Sequence, residues 1–283
     1  MEGRAPARRL QYQRFTRLER TLHALLIVSF IALALTGMTL KFSYTRWAAL
    51  VSRRLGGFES AGFIHRSAAV LMFGVFVVHL FDLNRKRREA FGGSWRTLLL
   101  GPDTMLFTRR DAREFVASLK WFLGAGSRPR YGRWTYWEKF DYFAVFWGIF
   151  VIGSTGLMLW FPEVLTRVLP GWLINVATII HSDEALLATG FIFTVHFFNT
   201  HLRPEKFPMD TVIFTGRMPV AEFKWDKPAE YDQLVAEGKL GEFMVEAYQP
   251  VVIRTIRAFA WTALGIGIFM VLVIIYAMVF TYQ

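Results

Sequence analysis

The segment that decides the fold is HRSAAVLMFGVFVVH, residues 65–79, in which thirteen mostly apolar residues separate two histidines. At 100° and 1.5 Å per residue, a helical step of fourteen residues returns to within about 40° of the same face after a rise of about 21 Å. His65 and His79 are therefore expected to share one helix face and to lie near opposite surfaces of a hydrocarbon core about 30 Å thick. An ionisable side chain inside a membrane span indicates a function.

The composition of the whole chain favours a membrane protein. Its 283 residues are 54% hydrophobic with a mean hydropathy of +0.32, yet the net charge is +11. Apolar blocks alternate with basic loops, which is typical of multi-pass membrane proteins. Nucleic-acid binding is not expected, because the basic residues occupy the gaps between apolar blocks. The chain has no cysteine, which excludes disulfides, iron–sulfur ligation and covalent haem attachment within it.

Five apolar segments are long enough to cross a bilayer as helices. They are residues 21–42, 61–83, 140–161, 172–198 and 258–281. The predicted fold class is an all-α membrane protein with a bundle of five transmembrane helices. The intervening loops, 84–138 and 199–257, are long and polar, and we expect them to form a cytoplasmic cap of short helices.

The positions of Lys and Arg predict the orientation. All but six of the 33 basic residues lie before the first span or in the loops that follow the second and fourth spans. The N-terminus is therefore expected to be cytoplasmic and the C-terminal end to lie outside. The N-terminal segment lacks a small-residue cleavage site, so we interpret it as retained. The six exceptions are Lys41, Arg46, Arg53, Arg54, Arg66 and Arg167.

The fourth span repeats the histidine pattern of the second. His181 and His196 are fifteen residues apart, about 60° off the same face and about 22 Å along the axis. His65 and His181 open their helices near the outer surface, whereas His79 and His196 lie near the inner surface. Two histidines at one depth on neighbouring helices predict haem, because haem iron needs only two axial imidazoles from the protein.

The inner side has more histidines than one haem needs. His23 opens the first span at the cytoplasmic surface, level with His79 and His196. His201 lies about 140° round a helix from His196, so one straight helix is not expected to present both to one iron. Two haems are predicted, with three as the alternative. Small residues within the spans fit either a haem pocket or close helix packing: Gly37, Gly74, Gly153, Gly156 and Gly190.

Four stretches resemble one known family. They are RLERTLHALLIVSFIALALTG (17–37), GFIHRSAAVLMFG (62–74), GRWTYWEKFDYFAVFWGIFVIGSTGLMLWFP (132–162) and LINVATIIHSDEALLATGFIFTVHFFNTHL (173–202). Over residues 15–205 the chain is similar to the membrane cytochrome b subunits of formate dehydrogenase (the gamma subunit), nickel–iron hydrogenase and thiosulfate reductase. The resemblance implies a four-helix haem-binding core, with His65 and His181 on the outer haem and His23 and His196 on the inner haem.

Three features depart from that family. The His181–His196 spacing is one residue longer than the formate dehydrogenase pattern. His79 gives the second span a two-histidine arrangement similar to that of the cytochrome b in respiratory bc complexes. This leaves open whether His23 or His79 ligates the inner haem. The fifth span is a further addition to the four-helix core.

The resemblance implies an integral-membrane b-type cytochrome that carries electrons between a periplasmic redox partner and membrane quinone, either menaquinone or ubiquinone. The expected partner is an iron–sulfur protein, a hydrogenase, a molybdoenzyme or a multihaem cytochrome c, and the expected location is a bacterial inner membrane. No catalytic residue is predicted in the chain itself. The predicted domains are a basic N-terminus (1–20), a cytochrome b core (21–205), a cytoplasmic loop (206–257) and a fifth transmembrane helix (258–283).

The segment that enters the third span is the candidate quinone site. Trp134 and Tyr136 could stack on a quinone ring, and Glu138, beside Lys139, could relay protons. The same residues also fit an interfacial aromatic belt with a charge pair.

A transporter or assembly protein whose histidines carry protons or metal is the alternative function. Transporters usually carry intramembrane carboxylates and broken helices. The candidates here are Asp183 and Glu184, close to the outer surface beside His181.

Overall fold

The structure is a computed structural model that describes residues 10–207 and 209–281. Arg4, Arg8 and Arg9 of the basic N-terminus lie outside the described residues, as do residues 282 and 283 of the predicted domain 258–283. Within the described residues, five helical segments are long and apolar enough to cross a membrane: Arg17–Lys41, Phe58–Ala90, Tyr136–Trp160, Trp172–Leu202 and Pro250–Thr281. All five predicted spans are therefore confirmed, and the chain is a helical multi-pass membrane protein.

The helices are named in chain order. They are α1 (Arg17–Lys41), α2 (Arg46–Leu55), α3 (Phe58–Ala90), α4 (Trp95–Leu100), α5 (Arg109–Phe122), α6 (Tyr136–Trp160), α7 (Pro162–Leu165), α8 (Trp172–Phe191), α9 (Val212–Thr215), α10 (Val220–Asp226), α11 (Pro228–Ala236) and α12 (Pro250–Tyr276). Two π-helical turns, Ile192–His196 and Phe198–Leu202, continue α8, and a third, Ala277–Thr281, continues α12. A 3-10 turn covers Leu240–Phe243.

The described residues form two compact units. The span unit contains residues 22–80, 143–207 and 258–281, and so holds most of the five long helices. The loop unit contains residues 10–21, 81–142 and 210–257. The loop unit includes the ends of α1, α3, α6 and α12, and the chain connects it directly to four membrane-spanning helices.

Hydroxyl pairing and small glycines both suit the helices of the span unit to an apolar setting. Buried Thr39 donates its hydroxyl proton to the carbonyl of Leu35, four residues earlier in the same helix, at 2.7 Å, so this polar group is satisfied within the helix. A Cβ added at Gly267 of α12 would lie 2.5 Å from Cδ1 of Phe193. Only glycine therefore lets α12 approach the π-helical end of α8 this closely.

The loop unit contains a small sheet that the sequence did not predict. The strands β1 (Leu10–Gln13), β2 (Arg217–Pro219) and β3 (Met244–Glu246) form an antiparallel sheet in the order β2-β1-β3. Tyr12 of β1 pairs with Met218 on one side and with Met244 on the other. Its ring stacks on Phe223 with centroids 3.8 Å apart. Residues near the chain start are thus tied to the segment that precedes α12, in the loop unit.

Candidate functional site

The structure brings His65 of α3 and His181 of α8 together within the span unit. Their ring centroids lie 6.1 Å apart and their planes are inclined by 77°. Both side chains are half-buried. The two histidines that sequence spacing placed at one depth therefore face each other across the helix bundle.

Hydrogen bonding fixes the proton on the His181 ring. Its Nδ1 lies 2.9 Å from the backbone carbonyl oxygen of Ile152 on α6. A carbonyl can only accept, so Nδ1 must be the donor and carry a proton. In a neutral imidazole the other nitrogen, Nε2, then has a free lone pair. Thr155 adds a longer contact to the same nitrogen at 3.4 Å.

The same reasoning applies to the His65 ring. Its Nδ1 lies 3.0 Å from the hydroxyl oxygen of Thr36 on α1. The Thr36 hydroxyl already donates its proton to the carbonyl of Ala32 at 2.6 Å. It can therefore only accept from the imidazole, so Nδ1 of His65 is protonated and Nε2 keeps its lone pair. The carbonyl of Leu33 also interacts with this ring.

One short pattern supports both rings. On α1 it consists of Leu33, Thr36 and Gly37, and on α6 of Ile152, Thr155 and Gly156: a carbonyl, a threonine three residues later and then a glycine. A Cβ added at Gly37 would lie 3.2 Å from Cε1 of His65, and one at Gly156 would lie 2.9 Å from Cε1 of His181. The glycines therefore provide the space that the imidazoles occupy.

This arrangement fits a metal held between two imidazoles. An imidazole nitrogen binds a transition metal at about 2 Å, so two nitrogens on opposite sides of one metal lie about 4 Å apart and their ring centres roughly 6 Å apart. The observed centroid separation is 6.1 Å. Ligating histidines also typically donate their second ring nitrogen to a carbonyl or other acceptor, as both rings do here.

A second group of histidines lies within the span unit. His23 of α1 interacts electrostatically with both His196 and His201. His201 is buried, and its ring contacts that of Phe197 with centroids 5.9 Å apart. The span unit therefore places the first-span histidine beside the histidines at the end of the fourth span.

The chain is π-helical over Ile192–His196 and Phe198–Leu202. The expected angle of about 140° between His196 and His201 assumed an α-helix. In a π-helix the backbone hydrogen bond spans five residues, so that rotation does not apply to this stretch. The divergence of the two rings stays a prediction, and His23 interacts electrostatically with both.

His79 takes a different position. Its ring meets that of Phe146 on α6 edge-on, with centroids 5.9 Å apart. Phe146 in turn packs edge-on against Phe76, one turn before His79. The structure therefore places His79 in an aromatic contact between α3 and α6.

The candidate quinone residues separate into two pairs within the loop unit. Trp134 and Lys139 line a cavity of about 360 Å³, whose wall also includes Asp103, Arg110 and Arg133. Tyr136 and Glu138 do not line it.

Glu138 is held in a network of charges. It forms ion pairs with Arg14 at 2.9 Å and with Lys227 at 2.6 Å, and it accepts from the Thr135 backbone at 2.8 Å. Glu138 therefore pairs with Arg14 and Lys227, while the neighbouring Lys139 pairs with Asp111. Burial lowers the pKa of Lys227 to about 8, and the ion pair with Glu138 opposes that shift.

Of the two carboxylates named for the transporter alternative, Asp183 is an exposed surface group. Asp183 forms an ion pair with Lys41 at 2.9 Å, and its side chain is 66% exposed. Among residues 10–207 and 209–281, no group of three or more His, Asp or Glu side chains is arranged to hold a metal ion.

Sequence reasoning missed the threonines that orient the imidazoles. The visible signal is the Thr-Gly dipeptide at Thr36–Gly37 and Thr155–Gly156, but the same dipeptide also occurs at Thr189–Gly190 and Thr215–Gly216, so it does not mark the site alone. The glycines were noted as small residues, but the hydroxyl contacts depend on how α1 and α6 pack against the histidine helices.

The fold and this histidine arrangement define the chain as a multi-pass helical membrane protein with paired intramembrane imidazoles. No protein-family model matches the chain, and no curated protein matches it.

Proposed function

We propose that the protein is an integral-membrane b-type cytochrome that passes electrons through stacked bis-histidine haems between a periplasmic redox partner and membrane quinone. The observation that carries the proposal is the facing of His65 and His181 with Nδ1 of each ring held as a donor. Two neutral imidazoles whose Nε2 lone pairs are free are the ligand set of a six-coordinate haem.

The chain's own residues perform three tasks at the outer site. His65 and His181 would supply the axial nitrogens. Thr36 and the Ile152 carbonyl fix the tautomer and rotation of the rings. The apolar helices exclude water, and haem would supply one-electron chemistry to this site.

The inner haem is assigned to His23 and His196. The electrostatic contact of His23 with the end of α8 supports this pair, and the edge-on position of His79 against Phe146 favours His23 over it. His201 faces the same group and is retained as the alternative to His196. Two haems per chain follow from this assignment.

The quinone site and the orientation belong to the same proposal. Trp134 and Lys139 line the cavity in the loop unit, and we place the quinone headgroup there, on the cytoplasmic side. The N-terminus is assigned to the cytoplasm of a bacterium, and the periplasmic partner is assigned to the side of His65 and His181. These assignments rest on the distribution of basic residues and on the resemblance to cytochrome b subunits.

Single substitutions of the outer pair test the proposal. The purified full chain should show a reduced-minus-oxidised spectrum of low-spin b haem. His65→Ala and His181→Ala should each remove the same spectral component and leave the second haem bound. A chain that binds no haem refutes the proposal and favours proton or metal handling. If the two substitutions remove different components, the pairing is wrong.

A further inference from the structure

Helix α5 of the loop unit has an inverted distribution of polar and apolar side chains. The residues buried against the protein are polar: Asp111, Glu114 and Ser118. The apolar side chains are turned outward: Phe122, the last residue of the helix, is 71% exposed, and Leu123, which follows the helix, is 82% exposed. Other large apolar residues share that outward stripe: Phe115, Val116 and Leu119.

Contacts fix α5 beside the first turn of a membrane-spanning helix. Asp111 forms a buried ion pair with Lys139 of α6 at 3.0 Å. The ring of Phe115 meets that of Tyr136, the first residue of α6, with centroids 5.5 Å apart. These two contacts hold α5 beside the first turn of α6.

Basic residues border the apolar stripe. On a helical projection Arg109, Arg113 and Lys120 fall within about 40° of one another, on the side of the stripe that faces away from the buried polar residues. All three are exposed. A shallow depression of about 390 Å³ lies on this border, lined by Ala112, Arg113, Val116, Ala117 and Lys120. Apolar walls between two cations suit an acyl chain below an anionic headgroup.

We propose that α5 lies in the membrane interface as an amphipathic helix, with its apolar stripe among lipid acyl chains and its basic border on anionic phospholipid headgroups. Three observations favour lipid over another protein as the occupant: the tie to the entrance of α6, the continuous apolar stripe and the cationic edge. Burial of the large apolar side chains among acyl chains removes their surface from water and stabilises this position. The inference does not depend on haem binding.

Because the chain contains no cysteine, a single introduced cysteine can be spin-labelled without removing any native residue. Single variants Phe122→Cys and Leu119→Cys on the stripe are compared with Val235→Cys on α11, which is also in the loop unit and is 50% exposed. Each full-length variant is spin-labelled and reconstituted in nanodiscs of phosphatidylcholine with phosphatidylglycerol. Collision with oxygen, which concentrates in lipid, is measured against collision with an aqueous nickel chelate.

The proposal expects oxygen to dominate at positions 122 and 119 and the nickel chelate to dominate at 235. Replacing Arg113 and Lys120 together by Gln should reduce the oxygen preference at 122, and so should discs of phosphatidylcholine alone. A label at 122 that behaves like the one at 235 overturns the proposal. A label at 122 that is shielded from both reagents also overturns it, because a protein surface then covers the stripe.

Discussion

Replacing Gly156 by alanine should disturb the outer histidine pair more than any other single methyl group added to the bundle. The new Cβ would lie 2.9 Å from Cε1 and 3.3 Å from Nδ1 of His181. Carbon atoms pack at about 3.5–4.0 Å, so the ring must move by roughly 0.6 Å or more. The Ile152 carbonyl holds the same ring at 2.9 Å, which leaves it little freedom to yield without breaking that bond.

A displacement of this size exceeds what a ligand set tolerates. Ligating side chains must be held to within about 0.5 Å of their productive positions. Loss of a contact that supports a ligand typically lowers metal affinity about 10–100-fold. Gly156→Ala should therefore lose the outer haem, measured as haem per chain and as one missing component in a redox titration. Alanine is the better helix former by about 1 kcal/mol, so the helix itself is not expected to weaken.

Two glycines offer matched controls for this substitution. A Cβ at Gly153, one turn earlier on α6, would also lie 2.9 Å from a ring, that of Phe73, while one at Gly190 would meet no atom within 4 Å. Gly153→Ala should cost stability but keep the outer haem, and Gly190→Ala should keep both. Wild-type haem content in Gly156→Ala would refute the reasoning, and so would equal haem loss in Gly153→Ala.

Three further predictions address the hydroxyls, the inner site and the loop unit. Thr36→Val removes the hydroxyl that accepts from Nδ1 of His65 and should weaken haem retention at the outer pair by about 1–3 kcal/mol, whereas Thr39→Val, equally buried but bonded only to its own helix, should not; equal losses in dialysis against apomyoglobin would count against the orienting hydroxyl. His23→Leu should remove the inner haem and His79→Leu should not, as read from reduced-minus-oxidised spectra, and the reverse result would assign His79. Because burial lowers the pKa of Lys227 from 10.5 to about 8, the unfolded chain holds a proton between those values that the folded chain has released, so stability should rise with pH across that window; Lys227→Met should remove the rise in thermal-unfolding curves, and an unchanged slope would contradict the shift.

The spans were predictable because their signal is long and local. As a helix, each apolar run is longer than the hydrocarbon core is thick, so all five were located to within a few residues, apart from extensions such as residues 84–90, which continue α3 into the basic loop. The common depth of His65 and His181 also follows from spacing alone. Their 6.1 Å approach does not, because it depends on how α3 and α8 pack.

The features that sequence reasoning missed are short or non-local. Strands of three or four residues are too brief to show alternation, so the sheet around Tyr12 gave no pattern. A π-turn changes the rotation of a helix without changing its apolar content, which is why His201 was expected to face away from His196. The threonine contacts exist only once α1 and α6 lie against the histidine helices. The separation of polar and apolar side chains on α5 is visible in its sequence. Which of its faces is turned toward the protein is not.

Haem quantification on the purified full chain, combined with the spectra of His65→Ala and His181→Ala, tests the central claim most directly. The account predicts two b-type haems per wild-type chain in a low-spin, bis-imidazole state, and loss of the same single haem in either variant. A chain without haem, or variants that retain both haems, would contradict it.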